Sequence, residues 1–152
     1  MTHHCDLLEL QSQPTLSIRT HTGASQLPAT LGVAYKQIFE YLGQQGEMPA
    51  GAPFVAYYNM DMENLDLEIG CPVSKGLPGE GAVQMSEIPA GRYATTLFTG
   101  PYQEMSGAYD ALTQWVQANK YEPTGIVYEI YLNEPGQVPD QDLQTQILFP
   151  LK

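Results

Sequence analysis

The sequence predicts an α+β domain of two strand-helix-strand-strand modules, with an antiparallel sheet, two helices on one face and a central cleft. Three observations predict it. An internal repeat aligns residue i with residue i+74, without a gap, from Leu27 to Asn59. Two segments carry apolar residues at helical spacing. The segments around them alternate apolar and polar side chains, or are short runs rich in aromatic residues, as strands do.

The repeat rests on paired identities and on similar residues in the same places. Ala34 and Tyr35 match Ala108 and Tyr109, Pro49 and Gly51 match Pro123 and Gly125, and Tyr57 and Asn59 match Tyr131 and Asn133. Leu31 aligns with Met105, Ile38 with Leu112, Tyr41 with Trp115, Leu42 with Val116 and Phe54 with Tyr128. Helix positions fall on helix positions and turns on turns.

In chain order, Cys5 to Leu10 reads as a short leading strand and Leu16 to Thr22 as an alternating strand. Residues 30 to 45 form the first helix, with Leu31, Ala34, Tyr35, Ile38, Tyr41 and Leu42 on its apolar face. Pro49 and Pro53 close the helical possibilities. Phe54 to Asn59 and Leu65 to Val73 are strands, and Gly76 to Gly81 is a connector without the order of a phosphate loop. Ala82 to Ile88 is the second leading strand, so each half receives one. Tyr93 to Thr99 is a strand, and Glu104 to Asn119 is a helix facing inward through Met105, Ala108, Tyr109, Leu112, Trp115 and Val116. Val127 to Asn133 and Thr145 to Leu151 complete the second module. The expectation is one domain over residues 1–152, in halves of roughly 1–75 and 80–152. Two modules sharing a pattern pack about a pseudo-twofold axis, and a cleft at their junction is a common ligand site.

Composition narrows the function. With 43% hydrophobic and 15% charged residues, the 152-residue chain has the material for a core. Ten tyrosines supply apolar surface with hydroxyl handles. Six basic residues stand against seventeen acidic ones, a formal charge of -11. That field repels phosphate backbones and attracts cations, and the basic residues form no patch, so no direct nucleic-acid binding is expected. No signal-like or membrane-spanning run is present, which makes the cytoplasm the expected location. Cys5 and Cys71 show no disulfide framework spacing. His3, His4 and Cys5 lack a fourth ligand for zinc, and Glu134, Asp140 and Asp142 lack the rhythm of a calcium loop, so neither metal nor cofactor is expected.

One ionisable residue interrupts an apolar strand. In Val127-Tyr128-Glu129-Ile130-Tyr131-Leu132, alternation puts Val127, Glu129 and Tyr131 on one face and Tyr128, Ile130 and Leu132 on the other. The second set is assigned to the helix-packed core and the first to the cleft. Val55 and Tyr57 take the matching cleft positions in the first half, so Glu129 stands where that half has valine. Burial would raise the carboxyl pKa, and hydrogen bonds from tyrosine hydroxyls would lower it. In either state the group suits pairing with a cationic ligand or proton transfer. A glutamate on the exposed face of a half-solvated strand is the competing reading. Tyr35, Tyr41, Tyr109 and Trp115 occupy helical core positions, Tyr102 follows the Gly100-Pro101 turn as a cap for the cleft, and Phe149 shares a face of the last strand with Ile147.

The second half resembles the GyrI-like domain, also found as the effector-binding domain of some AraC-type and MerR-type multidrug regulators. The resemblance is carried by Pro89-Ala90-Gly91-Arg92-Tyr93-Ala94, Gly100-Pro101-Tyr102, Ala108-Tyr109 and Trp115. It continues through Tyr128-Glu129-Ile130-Tyr131-Leu132-Asn133-Glu134-Pro135 and then Ile147 and Pro150. The first half fits the same duplicated unit. The resemblance implies an aromatic cleft in which a glutamate, here Glu129, contacts lipophilic and often cationic compounds. It also implies that free-standing relatives include hydrolases of cyclopropane-containing electrophiles that use this glutamate and a tyrosine. These 152 residues leave no stretch for a helix-turn-helix, so no direct role as a transcription factor is expected.

The reading that results is a free-standing binder of hydrophobic, cationic or aromatic small molecules. Glu129, Tyr131, Tyr57, Val55, Tyr102, Trp115, Tyr35, Tyr109 and Phe149 are its candidate ligand-binding residues. The alternative is a hydrolase of strained-ring electrophiles with Glu129 and Tyr131 as catalytic residues. The third is a protein-binding modulator of a DNA-modifying enzyme, for which the acidic charge is permissive but no local acidic run is present.

Overall fold

In the computed structural model, which describes residues 3–152, hydrophobic periodicity becomes eight strands and two α-helices. The order is β1 (Cys5–Leu10), β2 (Gln13–Thr22), α1 (Leu27–Gln44), β3 (Phe54–Tyr57), β4 (Leu65–Pro72), β5 (Gln84–Ile88), β6 (Gly91–Thr99), α2 (Ser106–Ala118), β7 (Val127–Tyr131) and β8 (Gln144–Pro150). The strand pairs described below are antiparallel, and the fold is α+β. A proline in its first turn opens α1, where a fixed φ and a missing N–H cost nothing. Gly46, at φ 68, carries the chain out of the helix. Among the described residues no helix is long and apolar enough to cross a membrane.

The chain divides into two compact units. The first, Ser12–Pro89, holds α1 and a sheet in which β3 pairs with β4, β4 with β2 and β2 with β5. Its core includes Leu16, Ile38, Leu42, Val55, Leu67, Ile69 and Cys71, each at most 1% exposed. Gly70 is needed for close approach: a Cβ there would lie 2.5 Å from the Leu16 carbonyl oxygen and 2.9 Å from the Ser17 Cβ.

The second unit joins β1 to the segment Ala90–Lys152. In it β1 pairs with β6, β6 with β8 and β8 with β7, and α2 buries Ala108, Leu112 and Val116. The compact units therefore differ from the halves read in the sequence, because the two leading strands are exchanged. β1 and β2 are joined by only Gln11-Ser12, and β5 and β6 by only Pro89-Ala90, yet neither pair forms a hairpin. Two-residue hairpins want positive φ in the turn, hence Asn-Gly or similar dipeptides, and neither link supplies one.

The repeat survives as register. Val55 faces Ile69 in one unit and Glu129 faces Ile147 in the other; Tyr57 faces Leu67, and Tyr131 faces Thr145. In the second unit, however, the face assignment from the sequence is reversed. Register places Glu129, Ile147, Thr96 and, through alternation, Tyr131 and Phe149 on one face. That is the face on which α2 lies, because Tyr109 of α2 reaches both Glu129 and Phe149. Tyr128 turns to the opposite face and meets Tyr93 edge-on, with centroids 6.3 Å apart. Strand alternation sorts residues into two faces but does not say which one the helix covers. Tyr128 and Tyr93 are both buried on that opposite face.

Candidate functional site

Two elements deliver the site. β7 carries Glu129 and Tyr131 two positions apart, which period-two geometry places on one face. α2 crosses above them and lowers Tyr109 from its inner flank. The Tyr109 hydroxyl donates to Glu129 Oε2, and the Tyr131 hydroxyl donates to Glu129 Oε1 at 2.8 Å. Each carboxylate oxygen thus has its own phenol donor.

Aromatic rings enclose these groups. The Tyr109 ring lies 6.0 Å from that of Phe149, and the Tyr131 ring 5.7 Å from that of Tyr102. Tyr102 sits in a short 3₁₀ turn, Tyr102–Glu104, that leads into α2, and it is 38% exposed. It is the outermost ring of the group.

Burial pushes the Glu129 carboxyl above its ordinary value, against the lowering effect of the hydrogen bonds from Tyr109 and Tyr131. The residue keeps partial exposure even though protein atoms crowd its carboxylate. Among the described residues no Lys, Arg or His forms an ion pair with Glu129. The Tyr102 phenol is also raised, first by burial and then by the negative charges of Glu129, Glu134 and Asp140. The site is thus a half-closed carboxylate, held by phenols, beneath an aromatic and negatively charged entrance. Such an arrangement can accept a lipophilic cation or move a proton.

The structure brings together Glu129, Tyr131, Tyr109, Tyr102 and Phe149 out of the residues singled out in the sequence. Trp115 lies on another flank of α2, against Tyr121, with centroids 5.8 Å apart. Val55, Tyr57 and Tyr35 belong to the Ser12–Pro89 unit. There Val55 is fully buried, Tyr57 is 8% exposed, and Tyr35 donates its hydroxyl to the Phe54 carbonyl at 2.8 Å. Tyr35 matches Tyr109 in the repeat; where Tyr109 finds a carboxylate, Tyr35 finds backbone.

Sequence reading missed a second buried carboxylate. Glu68 on β4 is 6% exposed and accepts from Ser17 at 2.5 Å and from Tyr58 at 2.6 Å. Arg19 covers the Tyr58 ring at 3.7 Å and forms a two-pronged pair with Asp66 at 2.7 and 2.8 Å. The available signal was alternation: Ser17 and Arg19, like Asp66 and Glu68, point to one face of paired strands. The hydrogen bonds and ion pairs are made within the protein, so this set reads as structure. Among the described residues no group of three or more His, Cys, Asp or Glu is placed to hold a metal ion.

The model of the GyrI-like small molecule binding domain family matches residues 4–152. No curated protein matches the chain. Among solved structures, the EcmrR C-terminal domain is similar at TM-score 0.77 and 23% identity, over 100% of this chain and 99% of that one. EcmrR has also been solved in a complex with DNA, where TM-score is 0.80 and identity 24%; the chain spans 57% of the EcmrR chain in that complex. SAV2435 bound to tetraphenylphosphonium is similar at TM-score 0.65 and 10% identity, over 100% of this chain and 94% of that one. A hydrolase from Listeria innocua is similar at TM-score 0.72 and 11% identity, over 97% of this chain and 91% of that one. At these identities the structural likenesses show a shared fold.

Proposed function

Since the chain belongs to the family of GyrI-like small-molecule-binding domains, we propose that it binds lipophilic aromatic cations at Glu129. The observation that carries this reading is the Glu129 carboxylate itself: crowded by protein, held by two phenols and without a basic partner among the described residues. A cation entering past Tyr102 gains charge pairing with Glu129. It also gains cation–π attraction of ~0.5–2 kcal/mol for each well-placed ring. Stacking and apolar burial are weakly directional, so such a site favours breadth of ligand over selectivity. Tetraphenylphosphonium on SAV2435 is a ligand of this class on the same fold. The acidic charge favours a small-molecule role without direct nucleic-acid contact, and a cytoplasmic setting belongs to the same proposal.

Glu129→Gln tests it, because shape is kept and charge is lost. Calorimetric titration should show affinity for a cationic dye falling by ~1.5–3 kcal/mol, the range for charge-assisted hydrogen bonds. A neutral dye of similar size should lose much less. Equal losses for both dyes would remove charge from the explanation, and no loss for either would place Glu129 outside the site.

A carboxylate between two phenols also favours a second reading, hydrolysis of strained-ring electrophiles. Glu129 would take a proton from water while the water oxygen bonds to the strained carbon and the ring bond breaks. Tyr131 would give its proton to the departing carbon and recover one from Glu129. A raised carboxyl pKa suits that base. Turnover of a cyclopropane-containing ester that Glu129→Gln abolishes, with binding intact, would put this reading first.

A further inference from the structure

A cavity wide open to solvent lies on the other side of α2 from Tyr109. Its volume is about 530 Å³, and its walls are His3 and Cys5 beside Gly107, Asp110, Ala111, Gln114, Trp115 and Ala118. That size suits small-molecule ligands. The helical wall follows from spacing: positions 107, 111, 115 and 118 fall on one flank, about half a turn from Tyr109. Small side chains at three of them open the space, and Trp115 fills the fourth with a large flat ring. The indole is held from one side by Tyr121, whose ring is tilted 31° to it, and over Tyr121 the Arg92 guanidinium lies at 5.5 Å. Opposite, the His3 ring packs near Phe98, with centroids 6.3 Å apart, and would lie 3.6 Å from a Cβ at Gly107. Asp110 is exposed at the rim, and no basic residue pairs with it among the described residues.

We propose that this cavity is a second ligand site, separate from Glu129, that takes a planar aromatic cation with Trp115 as its stacking face and Asp110 as its counter-charge. The class follows from the lining. A restrained indole face favours a flat ring, and a ring carrying positive charge most of all. A single carboxylate at the rim, in a chain of net charge -11, favours cations over anions.

The cavity carries its own reporters. Trp115 is the chain's one tryptophan, so indole fluorescence reads this wall alone. Cys5 is partly exposed, whereas Cys71 is fully buried and its thiol is pushed up to about 11 by that burial. Iodoacetamide therefore reports on Cys5 in the folded protein. The probe is N-benzylpyridinium, which quenches indole only on contact, with 4-benzylpyridine in mildly alkaline buffer as its neutral counterpart. The expected result is saturable quenching by the cation together with slower alkylation of Cys5, both retained in Glu129→Gln. Asp110→Asn should weaken the cation about fivefold and leave the neutral compound unchanged, the scale of a partly exposed charge pair. Ala111→Leu, which fills the cavity from a half-exposed position, should abolish saturation. Quenching that rises linearly without saturating overturns the proposal, as does saturation that disappears in Glu129→Gln or survives Ala111→Leu in a folded protein. Because Glu129→Gln is one arm, failure here leaves the reading of Glu129 separately testable.

Discussion

Glu129 is a residue whose folded environment prefers it protonated, and the sign of that preference has two measurable effects. Its folded pKa lies above the ordinary carboxylate value because burial outweighs the hydrogen bonds from Tyr109 and Tyr131. The stabilising contribution of a protonated Glu129 is thus fully present below the ordinary value and is lost as pH rises through the raised one. Glu129→Gln, always neutral, should be more stable than the parent at neutral pH and should lose that advantage on acidification. Urea melts of both proteins on either side of the carboxylate range check this. Cation affinity should move the opposite way, falling on acidification through the same window in the parent and staying flat in the variant. The sequence made Glu129 visible, because a charge in a strand of period two stands out. The phenol that meets it was less legible. Helical spacing shows that Tyr109 points inward, but where its hydroxyl lands depends on which sheet face α2 covers.

At the scale of elements, periodicity was a good guide and pairing was not. β1 has the limits read from the sequence, and β4, α2 and β8 shift by a residue or two at their ends. Strand exchange left no comparable trace, since it is encoded by what the links lack. Gln11-Ser12 and Pro89-Ala90 cannot easily turn a hairpin, but many loops share that property. Glu68 escaped notice for a related reason: an acidic residue alternating with Leu67 and Ile69 looks exposed until its partners on β2 and beyond β3 are known. β4 also carries a sharp packing constraint. Gly70→Ala must push its methyl against the backbone of Leu16 and the Ser17 side chain, where little can yield. Overpacking of this kind costs about 1–3 kcal/mol, and strain against backbone belongs at the upper end. Chemical denaturation should show that loss, whereas Gly32→Ala in α1, with open space around it, should be neutral or mildly stabilising.

For the molecule as a whole, the dominant electrostatic fact is seventeen acidic residues against six basic ones. A field of that sign speeds the arrival of cations and slows that of anions, and salt screens it over ~10 Å at 0.1 M. Stopped-flow association of a cationic dye should therefore slow as salt is added, with little change for a neutral analogue. A cationic dye insensitive to salt would mean that local groups alone govern entry. Net charge is fully legible in the amino-acid sequence; the exposure of Tyr102 among Glu129, Glu134 and Asp140 is not, because it depends on how one turn folds back.

The exchanged strands have a consequence for how the protein is made. Ser12–Pro89 is continuous, so once its last residues leave the ribosome that unit has every strand it needs. The other sheet takes in Cys5–Leu10, which is synthesised ahead of that unit, while its partner β6 is synthesised after it. Throughout translation of the intervening residues, the nascent chain trails an unpaired strand containing Leu7, Leu8 and Leu10. Pairing between residues so distant in sequence is slow, and an open strand edge is where nascent chains recruit chaperones or one another. The order of synthesis thus leaves β1 without its partner until the whole Ser12–Pro89 unit has been made.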